Sequence, residues 1–334
     1  DHNVTLIYSV PSQIAAWLDH PDFANGSSLK YLFTGGEVLP ASLIKRAHER
    51  LPNAQLFNVY GPTEATVNVT CWPTPATSTP NDDVRIGYPL ANTDITIRDD
   101  QGRVVPPGMT GEITIGGDCL ALGYLNRPEE DDKSFIENPD KSGAKLYRTG
   151  DLGRFIRDLS GKLVLSFVGR KDRQVKIRGN RIELDEVEAV LCDYAEVKSA
   201  VARVLTTPSG EKMVAAALVA DDAVKQIDIN ALRAHASTFL ASAAVPRQFL
   251  CLSSLPLTSH GKLDGKALDE KLSALITDQH DSSTSRSSGV KAGETFDARL
   301  RDIWRELLCI REIPTDQHFF DLGGSSLMLP QLQR

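Results

Sequence analysis

The sequence predicts an α/β core fragment with a small β-rich subdomain, followed by an α+β unit and the start of an all-α domain. Apolar strand-like runs alternate with helical segments over residues 4–60, an order typical of an α/β sheet. From Val84 to Tyr124 the pattern changes to short strands separated by Gly and Pro. A polar tract at residues 277–293 then separates the α+β unit from a new amphipathic helix.

Predicted strands and helices alternate regularly at the start of the chain. Residues 4–10 and 29–33 are predicted strands, and residues 11–18 and 40–51 are predicted helices. A third strand runs from Leu56 to Tyr60. Ligands of open α/β sheets collect at the carboxyl ends of such strands, so we expect functional residues just after them.

The later elements are shorter and mixed. In the β-rich segment the predicted strands are Ile95–Ile97, Gly111–Ile115 and Leu120–Tyr124. The α+β unit combines helices from about residues 185, 229 and 264 with strands at 199–205, 213–219 and 248–252. A helix from Thr295 with apolar residues at helical spacing starts the last domain, which the chain does not complete before Arg334.

Composition argues against several classes of function. The chain has 334 residues, 41% of them hydrophobic, which suffices for about two packed domains. Its net charge of -7 argues against nucleic acid or an anionic membrane as a partner. The five cysteines form no CxxC pair or metal-ligand spacing, so we expect a reduced, cytoplasmic location. No signal peptide or membrane-spanning run is present, and the first residues look like the middle of a longer protein.

The stretch from Tyr147 to Glu188 organises the rest of the chain. An apolar strand at 163–168 and an alternating, half-buried strand at 174–178 are separated by Gly169-Arg170-Lys171-Asp172, which breaks the run as a hinge or hairpin would. The carboxylate of Asp151 lies in a Thr-Gly-Asp turn before the break, and a basic hairpin follows it. This order suits a site that opens and closes between two bodies, whereas a solvated charged hairpin is the plainer alternative.

The string Asn58-Val59-Tyr60-Gly61-Pro62-Thr63-Glu64-Ala65-Thr66 follows a predicted strand. The hydroxyl of Thr63 and the carboxylate of Glu64 suit phosphate and Mg²⁺ recognition, because hard cations take oxygen ligands. The structural alternative is a strand-ending turn that Thr63 caps.

Two further motifs stand near the end of the chain. The pair Gly261-Lys262 is also found in P-loops, but no Gly stands five residues before Gly261, so a P-loop is not predicted. The alternative is an exposed loop lysine. The string Phe319-Phe320-Asp321-Leu322-Gly323-Gly324-Ser325-Ser326-Leu327 contains no Gly-x-Ser-x-Gly elbow, so a serine hydrolase fits poorly. A Gly-Gly loop with two capping serines is the alternative there.

Together these strings closely resemble the adenylation domains of nonribosomal peptide synthetases, in the adenylate-forming enzyme superfamily, followed by the start of a peptidyl carrier domain. The resemblance covers nearly the whole chain in the family's order, and Gly123-Tyr124-Leu125-Asn126-Arg127-Pro128 belongs to it. Departures are Leu122 and Gly265, where relatives usually have Arg, and Phe167, where many have Tyr. The implied fold is an α/β core fragment with a β-rich subdomain, an α+β lid subdomain and the start of an all-α carrier domain.

The resemblance implies roles for the nucleotide-site residues. Asn58 would contact the adenine amino group, and Tyr60 would stack on the base. Thr63 would touch the α-phosphate, and Glu64 would hold Mg²⁺. Asp151 would accept hydrogen bonds from both ribose hydroxyls, a suitable pairing for an acceptor with two oxygens.

It also implies the residues that complete the site. Arg170 would make a second ribose contact, and Asp172 would be the hinge. Lys262 would be the catalytic lysine, which stabilises the negative charge that gathers when a carboxylate attacks the α-phosphate. Ser326 would carry 4′-phosphopantetheine. The substrate pocket would contain six uncharged residues, so we expect a substrate with a neutral side chain: Tyr8, Phe33, Gly35, Val59, Val67 and Asn68.

Four regions follow from the resemblance. Residues 1–171 would be the C-terminal part of the adenylation core, 172–276 the lid, 277–293 a linker and 294–334 the N-terminal part of the carrier domain. The implied reaction is ATP-dependent formation of an aminoacyl-adenylate and thioester transfer to the phosphopantetheine arm. The implied partners are the amino acid, the carrier in cis, a phosphopantetheinyl transferase and neighbouring condensation domains.

Alternatives remain open at this point. A freestanding acyl-CoA or aryl-acid ligase shares the core and lid but not the carrier motif, and a carrier-linked carboxylic acid reductase looks the same up to Arg334. A non-catalytic scaffold that only presents a carrier is disfavoured by the intact Glu64, Asp151, Arg170 and Lys262. The family's phosphate loop and the aspartate that holds the substrate amino group would lie upstream of Asp1, so we expect this chain alone to be inactive.

Overall fold

The computed structural model describes residues 3–20, 23, 28–76, 85–207, 210, 212–221, 223–224, 226–258, 262–284, 300–301 and 303–304, with backbone alone over 276–284. The chain divides into two compact units, Asp1–Asp172 and Arg173–Arg334. This division lies one residue from the boundary predicted between residues 171 and 172. The assignment of the units as core and lid stays a prediction.

The first unit is built on a ten-stranded sheet. In chain order its elements are β1 (Leu6–Ser9), α1 (Pro11–Asp19), β2 (Tyr31–Thr34), α2 (Ala41–Arg50), β3 (Gln55–Tyr60), β4 (Thr70–Pro73), β5 (Arg85–Pro89), β6 (Thr93–Arg98), β7 (Gly111–Gly117), α3 (Pro128–Ser134), β8 (Phe135–Glu137), β9 (Lys145–Arg157) and β10 (Leu163–Arg170). The strand order is β1-β2-β3-β4-β5-β10-β9-β7-β6, and β8 pairs with β9. Strands β1 to β3 are parallel, and the other pairings are antiparallel.

The predicted α/β core is confirmed by these parallel strands and their helices. Pro11 starts α1 because its fixed φ suits the first helical position. Leu43 and Ala47 place the apolar face of α2 in the same buried cluster as Leu32 of β2 and Leu56 of β3. Fully burying a side chain such as leucine contributes about 1.5–3 kcal/mol, so this face holds the helix on the sheet.

The strand predicted at Leu120–Tyr124 is wrong. Residues 118–127 form a loop, because their backbone bonds to a turn and not to a neighbouring strand. The Ala121 N–H donates to the Glu64 carbonyl at 2.8 Å, and the Thr66 hydroxyl donates to the Cys119 carbonyl at 2.7 Å. An apolar run alone does not distinguish these two arrangements.

The second unit is α+β, as predicted. Its elements are β11 (Gln174–Ile177), β12 (Asn180–Glu183), α4 (Leu184–Cys192), β13 (Val197–Thr206), β14 (Lys212–Ala220), α5 (Ile229–Phe239), β15 (Gln248–Leu252) and α6 (Gly265–Thr284). β11 and β12 form a hairpin, and β13-β14-β15 form a sheet whose last pair is parallel. Val187 and Leu191 of α4, Leu218 of β14 and Leu232 of α5 are buried in one core cluster.

The end of the chain is described only in part. Helix α6 continues to Thr284, so residues 277–284 of the predicted linker are helical. The rest of that linker, the carrier motif and Ser326 lie outside the described residues. None of the described helices is both long and apolar enough to cross a membrane.

Candidate functional site

The carboxyl ends of β1, β2 and β3 bring the predicted pocket residues together. Tyr8 and Phe33 are register partners in β1 and β2. A Cβ at Gly35 would lie 2.5 Å from the Val59 carbonyl oxygen and 3.3 Å from the Tyr8 hydroxyl oxygen. Glycine is therefore required where these three strand ends approach each other.

The loop after β3 adds the remaining two pocket residues. The Tyr8 hydroxyl donates to Asn68 Oδ1 at 3.2 Å. Thr66 and Val67 have φ values of 54° and 71°, a left-handed conformation that is unusual for β-branched residues. Such strain costs about 1–3 kcal/mol per residue and tends to be kept at functional sites.

Asn58 and Tyr60 lie at the end of β3 with their side chains buried. Asn58 Nδ2 donates to the Arg85 carbonyl at 2.8 Å. The Tyr60 ring packs in an apolar cluster with Ala65, and its hydroxyl donates to Asp151 Oδ2 at 2.6 Å. Burial, followed by the charge of Asp151, raises the pKa of Tyr60 well above its ordinary value, so the hydroxyl stays a donor. Stacking of this ring on a base stays a prediction.

Asp151 is the centre of the buried polar network. Its carboxylate accepts from Tyr60 through Oδ2 and from Arg170 Nη1 through Oδ1. The Asp151 N–H donates to Thr149 Oγ1 at 2.9 Å, and that hydroxyl donates to the Ile113 carbonyl at 2.8 Å. Thr149 and Asp151 lie within strand β9, so the turn predicted at Thr-Gly-Asp is wrong, and these bonds fix this part of β9 to the neighbouring strand β7.

Arg170 connects Asp151 with Asp172. Its Nε and Nη2 donate to the two Asp172 carboxylate oxygens, each at 2.6 Å, in a bidentate pair. Burial lowers the pKa of Arg170, but the hydrogen bonds and charges of Asp172 and Asp151 outweigh it and raise the pKa overall. The predicted ribose residues and the predicted hinge residue therefore belong to one charged network.

Glu64 lies in a short 3₁₀ turn, Thr63–Ala65, and is 6% exposed. Its Oε1 accepts from the Tyr124 hydroxyl at 2.6 Å. Thr63, one residue earlier, is exposed. Glu64 and Thr63 thus present a carboxylate and a hydroxyl on neighbouring residues.

This donor set fits Mg²⁺ bound together with a phosphate. Within the described ranges, no group of three or more His, Cys, Asp or Glu side chains could hold a metal ion. Mg²⁺ commonly uses one or two carboxylates, several waters and substrate phosphate oxygens, so a site of dedicated protein ligands is not required. Glu64 is the carboxylate that would hold the ion.

Lys262 lies in the second unit on an exposed loop. The Thr258 N–H donates to the Lys262 carbonyl at 2.7 Å, and Leu257 pairs with Leu263 in an isolated bridge. Asp264 then caps α6 by accepting the Ala267 N–H at 3.0 Å. These bonds hold the loop lysine at the start of a helix.

Tyr124 and Glu112 were missed as site-supporting residues. Glu112 is buried, and its carboxylate accepts from Arg148 Nη2 at 2.8 Å and from the Gly150 N–H at 3.3 Å. Tyr124 stands in the string Gly123–Pro128, but no local pattern indicates that it contacts Glu64, sixty residues earlier. Both residues act through tertiary contacts that periodicity does not reveal.

Three family models match the chain in order. Residues 1–125 match the AMP-binding enzyme model, and residues 186–262 match the AMP-binding enzyme C-terminal domain. Residues 298–334 match the phosphopantetheine attachment site.

Several relatives align over most of the chain. It is 36% identical to tyrocidine synthase 3 of Brevibacillus parabrevis over 98% of this chain and 5% of that protein. It is 37% identical to the phosphinothricin tripeptide synthetase PhsB of Streptomyces viridochromogenes over 99% of this chain and 27% of that protein. The chain therefore spans a small part of the curated relatives that it matches.

Solved structures of adenylation domains are also similar to this chain. Holo-PA1221, an NRPS protein containing adenylation and PCP domains, is 30% identical with a TM-score of 0.74, over 98% of this chain and 52% of that chain. The Vibrio cholerae adenylation domain AlmE, solved with glycyl-adenosine-5'-phosphate, is 28% identical with a TM-score of 0.69, over 82% of this chain and 50% of that chain. The chain belongs to the AMP-binding, adenylate-forming enzymes, as the C-terminal part of a nonribosomal peptide synthetase adenylation domain followed by the start of a carrier domain.

Proposed function

We propose that the protein containing this chain activates an amino acid with ATP and passes it to its own carrier domain. A carboxylate oxygen of the amino acid attacks the α-phosphorus, the bond to pyrophosphate breaks, and an aminoacyl-adenylate forms. A pantetheine thiol on Ser326 then attacks the acyl carbon, loses its proton, and releases AMP. The buried network of Tyr60, Asp151 and Arg170 is the observation that carries this proposal.

Asp151 and Arg170 hold the ribose. A carboxylate has about four lone-pair positions, so Asp151 can accept from Tyr60, Arg170 and two ribose hydroxyls together. The second bond from Arg170, to Asp172, fixes the guanidinium plane. The site is therefore preorganised for two adjacent hydroxyl donors.

Asn58 and Tyr60 recognise the base. Because Asn58 Nδ2 donates to the Arg85 carbonyl, the amide presents Oδ1 as an acceptor for the adenine amino group. Tyr60, a residue that is 8% exposed, stacks on the base, while its hydroxyl holds Asp151.

Thr63, Glu64 and Lys262 act on the phosphates. Thr63 contacts the α-phosphate and Glu64 holds Mg²⁺, which when bound neutralises charge on the phosphate oxygens. Lys262 supplies a positive charge to the attacking carboxylate and the phosphate during adenylate formation. Asp172, the last residue of the first unit, is the proposed hinge.

The pocket selects a neutral substrate side chain. Its six residues carry no charge, and the contact between Tyr8 and Asn68 provides hydrogen-bonding groups beside the aromatic ring of Phe33. Burying an unpaired charge here would be costly, so a basic or acidic side chain is disfavoured.

The remaining partners follow from the carrier motif. A phosphopantetheinyl transferase would load Ser326, and a condensation domain would use the resulting thioester. The described cysteines Cys71, Cys119, Cys192 and Cys251 are free thiols, which supports a cytoplasmic location.

ATP–pyrophosphate exchange across an amino-acid panel tests the proposal. The protein should be extended upstream to the length of its solved relatives, because this chain spans 52% of PA1221. We expect exchange to be stimulated by one amino acid with an uncharged side chain. Preference for Lys, Arg, Asp or Glu would overturn the pocket assignment, and no exchange with any amino acid by a folded protein would overturn the activity.

Lys262→Ala separates the two half-reactions. We expect adenylate formation to fall by at least about 100-fold, whereas thioester transfer from preformed adenylate stays near the wild-type rate. The measurements are pyrophosphate exchange and single-turnover loading of the carrier. Lys266→Ala, an exposed lysine on α6, is the control. Equal loss of both half-reactions would contradict the assignment of Lys262 to the first step alone.

A further inference from the structure

The loop at residues 118–127 is attached to the Glu64 turn at three points. The Thr66 hydroxyl donates to the Cys119 carbonyl at 2.7 Å, and the Ala121 N–H donates to the Glu64 carbonyl at 2.8 Å. The third contact is the hydrogen bond of 2.6 Å from the Tyr124 hydroxyl to Glu64 Oε1. One of these contacts is made by the Thr66 side chain and one by the Glu64 backbone, and the third reaches the Glu64 carboxylate.

Tyr124 is itself held at both ends. Its N–H donates to Asp131 Oδ1 at 2.6 Å, and its ring packs edge-on against Phe135 with centroids 5.6 Å apart. The backbone bond and the ring contact thus hold the Tyr124 hydroxyl at a fixed place beside the Glu64 carboxylate.

We propose that Tyr124 is a positioning residue that orients the Glu64 carboxylate for the metal–nucleotide complex. The proposal rests on the proposed role of Glu64. A glutamate side chain has three rotatable bonds, and its carboxylate can turn unless a neighbour fixes it. The Tyr124 hydroxyl holds one oxygen, so the rotation of the carboxylate is restricted before the metal–nucleotide complex arrives.

Tyr124→Phe removes the hydroxyl and keeps the ring against Phe135. Losing a residue that orients a metal ligand typically weakens metal affinity or activity by about 10- to 100-fold. We therefore expect the Mg²⁺ concentration for half-maximal exchange to rise at least about 10-fold, with a smaller change in kcat at saturating Mg²⁺. Mn²⁺ binding to the protein–ATP complex, followed by electron paramagnetic resonance, should weaken by a similar factor, a readout that does not depend on turnover.

Tyr88→Phe is the matched control. The Tyr88 hydroxyl also donates to a carboxylate, that of Asp158, and its ring is half-buried. Asp158 lies in the turn between β9 and β10, and neither residue has a proposed catalytic role. We expect Tyr88→Phe to keep the wild-type metal dependence, and we expect both variants to retain wild-type affinity for metal-free AMP.

Glu64→Gln distinguishes failure of this inference from failure of the proposed function. If Glu64→Gln retains full exchange activity at low Mg²⁺, the role of Glu64 itself is wrong. If Glu64→Gln is impaired but Tyr124→Phe matches Tyr88→Phe in metal dependence, only the positioning role is overturned. Tyr124→Phe could instead lower both the affinity for metal-free AMP and the urea concentration at the unfolding midpoint, without a selective change in metal dependence. That result would also overturn the positioning role, because Tyr124 would then support only the fold.

Discussion

Arg170 and Arg173 stand three residues apart in one string, but they belong to different units and do different things. The Arg170 side chain is 13% exposed and contacts the buried Asp151 and the exposed Asp172. Arg173 is 40% exposed and contacts Asp185 and Glu188 on α4. Arg170 thus contacts the carboxylate that we propose binds the ribose, whereas Arg173 connects a helix with the start of a hairpin.

The partners of each arginine explain the difference. Arg173 Nη2 also donates to the Ala202 carbonyl at 3.0 Å, and Glu188 accepts the Ala202 N–H at 2.7 Å. One ion pair therefore connects the residue just before β11 with α4 and β13. Arg170 instead contacts a carboxylate that also accepts from Tyr60 at the end of β3. Two arginines three residues apart therefore have different roles: Arg170 supports the proposed nucleotide site in the first unit, and Arg173 connects elements of the second unit.

Arg170→Ala should have the largest effect. Removing one partner from a buried ion pair costs about 3–5 kcal/mol, and the proposed ribose contact disappears as well. We expect AMP affinity of the upstream-extended protein to fall by at least about 100-fold in isothermal titration calorimetry, together with a lower urea midpoint for the first unit.

Lys171→Ala is the control for Arg170→Ala. The Lys171 side chain is 44% exposed and pairs with the exposed Asp100, and such pairs contribute about 0–1 kcal/mol. Its second pair, with the buried Glu112, is long at 4.0 Å, and Glu112 keeps its shorter contact of 2.8 Å with Arg148. We expect wild-type AMP affinity from this variant. If Arg170→Ala retained AMP affinity and lost only stability, the two arginines would both be structural, and the comparison would fail.

Arg173→Ala should have an intermediate effect on stability and none on the nucleotide. Arg173 is partly exposed, which weakens each ion pair, but its guanidinium connects three elements. We expect the second unit to lose about 1–2 kcal/mol in urea unfolding, with AMP affinity unchanged. A loss of AMP affinity equal to that of Arg170→Ala would show that Arg173 also serves the nucleotide site.

The sequence predicted the secondary structure and the division into units better than it predicted side-chain contacts. The parallel strands, the α+β unit and the break near Asp172 follow from periodicity and from Gly-rich interruptions, which are local signals. The bond from Tyr60 to Asp151 joins residues that are 91 positions apart, so no local pattern indicates it. Tyr124 was assigned to a strand for the same reason: its apolar neighbours suit a strand as well as they suit a loop attached to Glu64.

A third arginine of the same string, Arg178, should give the smallest effect and the opposite sign. Arg178 and Gly179 form the two-residue turn between β11 and β12, with φ values of 51° and 77°. Both residues of a type I′ turn need positive φ, which Asn adopts more readily than Arg. We expect Arg178→Asn to stabilise the second unit by about 0.5–1 kcal/mol in urea unfolding, because it relieves backbone strain.

Lys176→Asn on the same hairpin is the control for Arg178→Asn. Lys176 lies within β11 and pairs in register with Arg181. Asn is disfavoured in strands, so this substitution should destabilise the unit by a few tenths of a kcal/mol, up to about 1 kcal/mol. If Arg178→Asn destabilised the unit as well, the side-chain contacts of Arg178 would outweigh its backbone strain. Arg178 and Arg173 would then both stabilise the second unit through their side chains, whereas Arg170 would remain the arginine of this stretch with a proposed role in nucleotide binding.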